Sequence, residues 1–174
     1  TVPKQVEKLM TKHKVGKLYV GIFQGTGDAK RALNPVPRDV AASLNTHDLP
    51  PFAKNFVGDD LEERIAAGVF NPDLEKGERD SRDRDRKAIS AWLRSKKLHT
   101  GKGDADPTAA AINLDRFLAE SDAELALVNI EDLWGETRWQ NMPGTTVEYP
   151  NWQHKLAKTL DEIANWRSIC PDLV

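Results

Sequence analysis

Three short apolar segments rich in β-forming residues constrain the fold of this chain more than any other feature of the sequence. They span residues 18–23, 40–44 and 125–130, and helix-like segments lie between them. Strands that are apolar along their length and alternate with helices are typical of a parallel sheet that is covered on both faces. Because three strands cannot close a barrel by themselves, these segments fit three units of a larger (β/α) barrel.

The segments around these strands carry the signals that start helices. Pro3 suits a first helical turn, and Asp106-Pro107 begins another helix. The mixed-charge run 78–87 is typical of a solvated helix face or loop. Pro150 is predicted to open a last helix, in which the following residues would form one apolar stripe: Trp152, Leu156, Leu160 and Ile163.

Charge and composition narrow the classes of function. Lys plus Arg number 25 and Asp plus Glu number 27, which gives a formal net charge of −2 and no electrostatic reason to expect nucleic acid or an anionic membrane as a partner. No apolar run approaches the ~20 residues that cross a bilayer. Residues 1–14 are polar rather than a secretory leader, and the single cysteine, Cys170, cannot form an intrachain disulfide. We therefore expect one cytoplasmic domain over residues 1–174.

A His-Asp pair follows the second apolar segment. In barrel enzymes the catalytic groups lie at the C-terminal ends of the strands, so His47 and Asp48 are candidate catalytic residues. The alternative is structural, because aspartate is a strong helix N-cap and Asp48 could cap the chain that enters Pro50-Pro51. The dipeptide alone leaves both interpretations open.

The end of the third segment is also polar. Glu131, Asp132 and Glu136 follow it, and they could either orient basic groups and bind sugar hydroxyls or form ordinary ion pairs with Arg138 or with a barrel helix. Asn141 lies in a tight turn, where its amide could either contact a ligand or stabilise the turn. Several aromatic residues of this region could stack on sugar rings or simply pack in the core: Trp134, Trp139, Tyr149 and Trp152.

Other chemistries find no support in the sequence. The four histidines have no metal-ligand spacing with Cys170 or with one another. Residues 25–27 form a Gly-Thr-Gly segment after a strand, but the remaining residues of a phosphate-binding loop are missing. There is no nucleophile elbow. We therefore expect neither a metal nor a cofactor.

Four segments together resemble the 4-alpha-glucanotransferases of the amylomaltase, or disproportionating enzyme, type. They are NTHDLP at 45–50, NIEDLWGE at 129–136, QNMPGT at 140–145 and YPNW at 149–152. The Thr-His-Asp part alone is weakly specific, whereas the ordered set is strong. One departure is Asn45, where the family has a small residue such as glycine. Asn45 makes the motif partly similar to the Asn-His-Asp of the wider alpha-amylase clan, which keeps a clan hydrolase among the alternatives.

The resemblance implies the C-terminal part of a (β/α)8 TIM barrel, about its last three βα units, in a retaining transglycosylase. The substrates would be alpha-1,4-glucans or maltooligosaccharides. Asp48 would be the third catalytic carboxylate, which stabilises the oxocarbenium-like transition state by holding sugar hydroxyls. His47 would bind the same ring, and Asn141 would be a further substrate contact.

The same resemblance places two catalytic residues outside these 174 residues. The aspartate nucleophile and the acid/base glutamate would both precede Thr1, because residues 1–3 resemble the turn after the strand that carries the glutamate. The expected partner is therefore the upstream half of the same enzyme, and we expect the isolated chain to be inactive. The alternative is a non-catalytic glucan-binding or interaction module that reuses half a barrel.

Overall fold

A three-stranded parallel sheet forms the centre of the protein, in a computed structural model that describes residues 3–165. The strands are β1 (Lys17–Val20), β2 (Val40–Ser43) and β3 (Leu125–Leu127), in the order β1-β2-β3 with β2 in the middle. The parallel direction of all three strands confirms the α/β class that their apolar character predicts.

A helix precedes the first strand and others occupy the connection between the second and third strands, whereas a 3-10 turn and a loop join β1 to β2. Helix α1 (Lys4–Lys12) precedes β1. Between β2 and β3 lie four helices, α2 (Phe52–Val57), α3 (Asp60–Ala66), α4 (Glu75–Ser95) and α5 (Pro107–Ala119). As predicted, Pro3 stands at the start of α1, and Asp106 caps α5 by accepting a hydrogen bond from the Ala109 N–H at 2.9 Å.

One face of the sheet forms the core. Tyr19 of β1 and Ala42 of β2 are paired neighbours, and both are buried against a cluster drawn from α2, α4 and α5. Side chains that point to the opposite face of the edge strands remain exposed: Leu18 is 57% exposed and Leu125 is 60% exposed. In the described part of the chain, the sheet is therefore covered on one face only, and not on both faces as predicted.

Two strands are shorter and less buried than predicted. The first was expected over 18–23, but β1 ends at Val20 and a 3-10 turn, Gly21–Phe23, follows. In that turn the Ile22 N–H donates to the Leu44 carbonyl at 2.9 Å. The third was expected over 125–130, but β3 has only three residues, all of them exposed. Both lie at sheet edges, where pairing on one side leaves half of the backbone groups without a strand partner.

The mixed-charge run 78–87 lies within α4, which agrees with one of its two predicted forms. Part of it is not solvated, however. Arg82 is largely buried and makes a short ion pair with Asp60, which is completely buried at the first position of α3. This contact ties α4 to α3, and the positive charge of Arg82 offsets part of the cost of burying the Asp60 carboxylate.

The last helix begins later than predicted, so the predicted start at Pro150 is wrong. Residues 150–158 form turns and irregular chain, and the only helix described there, α6 (Leu160–Ala164), begins after a capping box of Thr159 and Glu162. Trp152 has a left-handed backbone, φ 59°, and its N–H donates to the Gln140 carbonyl at 2.7 Å. That contact holds the chain back against the preceding turn, so a helix cannot begin at Pro150.

The prediction for Cys170 and those for Thr1 and Val2 fall outside the described residues. Among residues 3–165, no helix is both long and apolar enough to cross a membrane.

Candidate functional site

A loop at the C-terminal end of β2 carries the His-Asp pair. The loop spans residues 45–52 and includes a turn in which the Leu49 N–H donates to the Thr46 carbonyl at 3.0 Å. His47 Nε2 lies 3.4 Å from Asp48 Oδ1. Asp48 is 49% exposed, so its carboxylate is held in place and still accessible to a ligand.

The helix-cap interpretation of Asp48 does not hold. Helix α2 begins at Phe52, and the carboxylate that accepts the Phe52 N–H belongs to Asp132, at 2.9 Å. The carboxylate of Asp48 instead accepts a hydrogen bond from Asn141 Nδ2 at 2.6 Å. A contact this short to an ionised oxygen is typical of a charge-assisted hydrogen bond.

Asn141 reaches Asp48 because the turn around it is held by other residues. The Met142 N–H donates to Asn151 Oδ1 at 2.8 Å, and Asn151 Nδ2 donates to Thr145 Oγ1 at 2.9 Å. Gly144 has φ 88°, which glycine adopts at little cost. Asn151 therefore stabilises the turn. The amide of Asn141 is left to bond to Asp48, which lies 93 residues earlier in the chain. The structure thus brings together the three predicted site residues, His47, Asp48 and Asn141.

Trp152 is part of this site rather than of the core. Its side chain is 62% exposed, and its ring centroid lies 5.9 Å from that of His47, with 36° between the planes. Of the two alternatives for Trp152, the one in which it starts a helix and packs in the core is therefore wrong. Its left-handed backbone and its bond to Gln140 turn the indole outward, beside His47. An exposed aromatic face next to a polar pair is a surface on which a sugar ring can stack.

Trp139 is buried. It is 3% exposed and packs edge-on against Tyr149, whose hydroxyl donates to the Trp139 carbonyl at 2.9 Å. Its role is therefore to support the turn that carries Asn141. Trp134, in the 3-10 turn after β3, is partly buried.

Two hollows meet at the His47-Asp48 pair. A cleft of about 450 Å³ is lined by Asp48 together with Phe23, Arg64 and Phe70, where the Arg64 guanidinium carbon lies 4.7 Å from the Phe70 ring centroid. A smaller hollow of about 110 Å³ lies on the side of His47 and Trp152. Leu49 lines both hollows, and we refer to the two of them together as the groove, whose walls are partly polar and partly aromatic.

One of the acidic residues after β3, Glu136, makes the predicted ion pair with Arg138, whereas Asp132 does not. Arg138 pairs with Glu136, Nη2 to Oε2 at 2.8 Å, and hydrogen bonds from Arg138 lower the pKa of Glu136 to about 2. Asp132 makes no pair with Arg138. It is buried and accepts Asn45 Nδ2 at 3.0 Å as well as the Phe52 N–H. Burial raises the pKa of Asp132 to about 6.

A second buried carboxyl lies behind Asp132. Asp115 of α5 is 3% exposed, and neither carboxylate oxygen has a hydrogen-bond partner among the described residues. Burial, and then the charge of Asp132, raise the pKa of Asp115 to about 8. The sequence contained no signal for this pair.

Among residues 3–165, no cluster of three His, Cys, Asp or Glu side chains is arranged to hold a metal ion.

A further hollow of about 300 Å³ lies between α4, α2 and the turn after β1, and none of His47, Asp48 and Asn141 lines it.

Sequence comparison identifies relatives over nearly the whole chain. The sequence profile of the 4-alpha-glucanotransferase family matches residues 1–160. A 4-alpha-glucanotransferase of Mycobacterium tuberculosis H37Rv is 35% identical over 136 residues, which is 75% of this chain and 19% of that protein. A 4-alpha-glucanotransferase of Haemophilus influenzae is 30% identical over 167 residues, which is 92% of this chain and 24% of that protein.

Structural comparison gives the same result for the fold. The crystal structure of amylomaltase from Corynebacterium glutamicum matches with a TM-score of 0.75 at 20% identity, covering 97% of this chain and 26% of that one. At this identity the match concerns the fold alone. The chain thus spans about a fifth to a quarter of the length of the relatives it matches.

Proposed function

This chain belongs to the 4-alpha-glucanotransferase family, and we propose that it is the C-terminal part of an enzyme that transfers alpha-1,4-glucan segments between maltooligosaccharides with retention of configuration. The observation that carries the proposal is the contact of Asn141 with Asp48 beside His47, at the C-terminal end of the central strand. In barrel enzymes this end of the sheet carries the catalytic groups.

Asp48 is suited to stabilise a transition state that carries positive charge. Glycosyl transfer passes through an oxocarbenium-like species, and a fixed carboxylate close to it lowers its free energy. Asn141 and His47 both contact Oδ1 of Asp48. Neither of these contacts uses Oδ2, which leaves that oxygen for the hydroxyls of the sugar ring. His47 would contact the same ring, and Asn141 would both orient Asp48 and touch the substrate.

The groove over Asp48 supports a glucan substrate. Sugars present hydroxyls at their edges and apolar faces, so sites for them combine polar groups with exposed aromatic rings. Trp152 supplies such a ring on one side of His47, and Phe23 and Phe70 line the larger cleft on the other. We place the reacting sugar at Asp48, and we place the adjacent sugars of the glucan along these two hollows.

The sheet supports a place within a (β/α)8 barrel. We assign β1, β2 and β3 as the sixth, seventh and eighth strands, which puts the His-Asp pair after the seventh. Barrel strands pair on both sides, whereas β1 and β3 each pair on one side here. The exposed Leu18 and Leu125 lie on the face that would line the barrel interior. The upstream part of the same enzyme would supply the remaining strands, the aspartate nucleophile and the acid/base glutamate.

The test is disproportionation of maltotriose, followed as released glucose and as a ladder of longer products. We expect no turnover by the isolated 174 residues, because members of a catalytic set that acts as a unit are missing from them. Turnover should appear when the same residues are joined to, or mixed with, the upstream part of the enzyme.

Three results would contradict the proposal. Glucose release by the pure chain that is lost in Asp48→Ala would mean that the catalytic set is complete within these residues. Oligosaccharide binding without turnover in every longer form of the protein would favour a glucan-binding module. Shorter products without a ladder would indicate a hydrolase.

A further inference from the structure

The buried carboxylate of Asp132 bonds to both ends of the loop that carries the His-Asp pair. Its Oδ2 accepts from Asn45 Nδ2 at 3.0 Å, where the loop leaves β2, and its Oδ1 accepts from the Phe52 N–H at 2.9 Å, where the loop enters α2. His47 and Asp48 lie between these two points. One side chain that is 2% exposed therefore spans the base of the loop.

The element that presents Asp132 is itself fixed. Asp132 belongs to the 3-10 turn Ile130–Trp134, and its N–H donates to the Asn129 carbonyl at 3.1 Å. The turn ends at Gly135, which has φ 68° and lies so close to the Thr108 hydroxyl of α5 that a β-carbon would not fit there. The turn that carries Asp132 is thus held by β3 on one side and by α5 on the other.

The chemistry of the two contacts requires a carboxylate. Both neighbours of Asp132 are donors, an amide NH₂ and a main-chain N–H, and only an ionised carboxylate accepts from both with its two oxygens. Burying a carboxylate costs free energy, and its hydrogen bonds offset that cost only in part. We therefore expect the two bonds from Asp132 to the loop to serve the function of the site. Asn45, which stands where the resemblance leads us to expect a small residue, supplies one of the two donors.

We propose that Asp132 is a positioning residue, which with Asn45 holds the loop 45–52 so that Asp48 stays against Asn141. This inference rests on the proposed function, since it assumes that the position of Asp48 limits catalysis. Asp132 touches no substrate and acts through the loop. A displacement of about 1 Å at a catalytic carboxylate is enough to lower turnover strongly.

The test adds a second carboxyl group to the pair in the enzyme that contains this chain. Asn45→Asp places two carboxyl groups face to face, and at a pH where both are ionised their repulsion should push the loop away from Asp132. We expect kcat for maltotriose to fall about tenfold or more, with KM within about twofold, because the substrate groove is left in place while the transition-state contact is lost. Asn113→Asp, the same change at a partly exposed position of α5, is the matched control and should leave kcat unchanged.

Rescue separates a positioning role from a structural one. In the double variant Asn45→Asp with Asp132→Asn, the side-chain hydrogen bond is restored with donor and acceptor exchanged, and the new amide oxygen still accepts from Phe52. We expect kcat to return to within about threefold of the parent. If Asn45→Asp does not fold, Asn45→Gly removes one donor without adding charge and should lower kcat about threefold.

The outcomes distinguish this inference from the proposed function. Folded Asn45→Asp or Asn45→Gly enzyme with unchanged kcat overturns the positioning role, even if Asp48→Asn is inactive. Loss of kcat without rescue in the exchanged pair also overturns it, since the contact would then not be the cause. Normal turnover in Asp48→Asn would instead contradict the proposed function itself.

Discussion

Replacement of Asp115 by asparagine should stabilise the protein, and the gain should grow as the pH rises. Asp115 is buried on α5, and neither of its oxygens has a hydrogen-bond partner within residues 3–165. Its pKa is raised from 3.8 to about 8, first by burial and then by the charge of Asp132. Asparagine has almost the same shape and never becomes charged, so the substitution removes the titration and keeps the packing.

The sign and size of the effect follow from the two pKa values. A carboxyl whose pKa is higher in the folded protein than in the unfolded chain favours folding fully below the unfolded pKa, and this contribution is lost as the pH rises through the folded pKa. For Asp115 the window runs from about pH 4 to about pH 8. Each pKa unit corresponds to 1.36 kcal/mol, so between pH 5 and pH 7 the parent should lose about 3 kcal/mol relative to Asp115→Asn, as an upper limit.

The assay is urea denaturation followed by tryptophan fluorescence, at one protein concentration, for the parent and for Asp115→Asn at pH 5, 6, 7 and 8. Asp122→Asn is the matched control, because Asp122 is exposed and its ion pair with Arg38 is solvated. We expect the difference in unfolding free energy between Asp115→Asn and the parent to increase with pH, and that for Asp122→Asn to stay small. A difference for Asp115→Asn that does not change with pH, or that falls as pH rises, refutes the reasoning.

Two further predictions concern the groove and the open sheet. Trp152→Ala should raise KM for maltotriose about three- to tenfold with little change in kcat. The reason is that an exposed stacking surface contributes about equally to binding of the ground state and of the transition state. A change confined to kcat would contradict this prediction. The isolated chain should self-associate at micromolar concentration through its open strand edges, and Leu18→Lys together with Leu125→Lys should reduce this in sedimentation experiments; a clean monomer that unfolds cooperatively and does not bind the upstream half would contradict it.

The sequence predicts that Asp48 and Asn141 lie at the same edge of the sheet. Both residues follow apolar strand segments, and the C-terminal ends of parallel strands lie at one edge of a sheet. The order of motifs that resembles the family then selected the catalytic interpretation over the helix cap. The structure adds the direct contact between the two side chains, which no spacing along the chain predicts.

Trp152 and Asp132 could not be placed in this way. The spacing of the apolar residues after Pro150 fits a helix, but a backbone bond from Trp152 to Gln140 decides the local structure. The partners of Asp132 lie 87 and 80 residues away along the chain. Periodicity reports only local preference, so contacts of this range appear only when the chain is folded.

Asp48 is the residue on which the account depends most. The direct test is kcat and KM of the enzyme that contains this chain, measured on maltotriose for the parent and for Asp48→Asn, with His47→Ala for comparison. We predict that Asp48→Asn lowers kcat on the order of 100-fold or more with a much smaller change in KM, and that His47→Ala has a milder effect because it removes no negative charge. Near-normal kcat in a folded Asp48→Asn enzyme would contradict the catalytic role of Asp48.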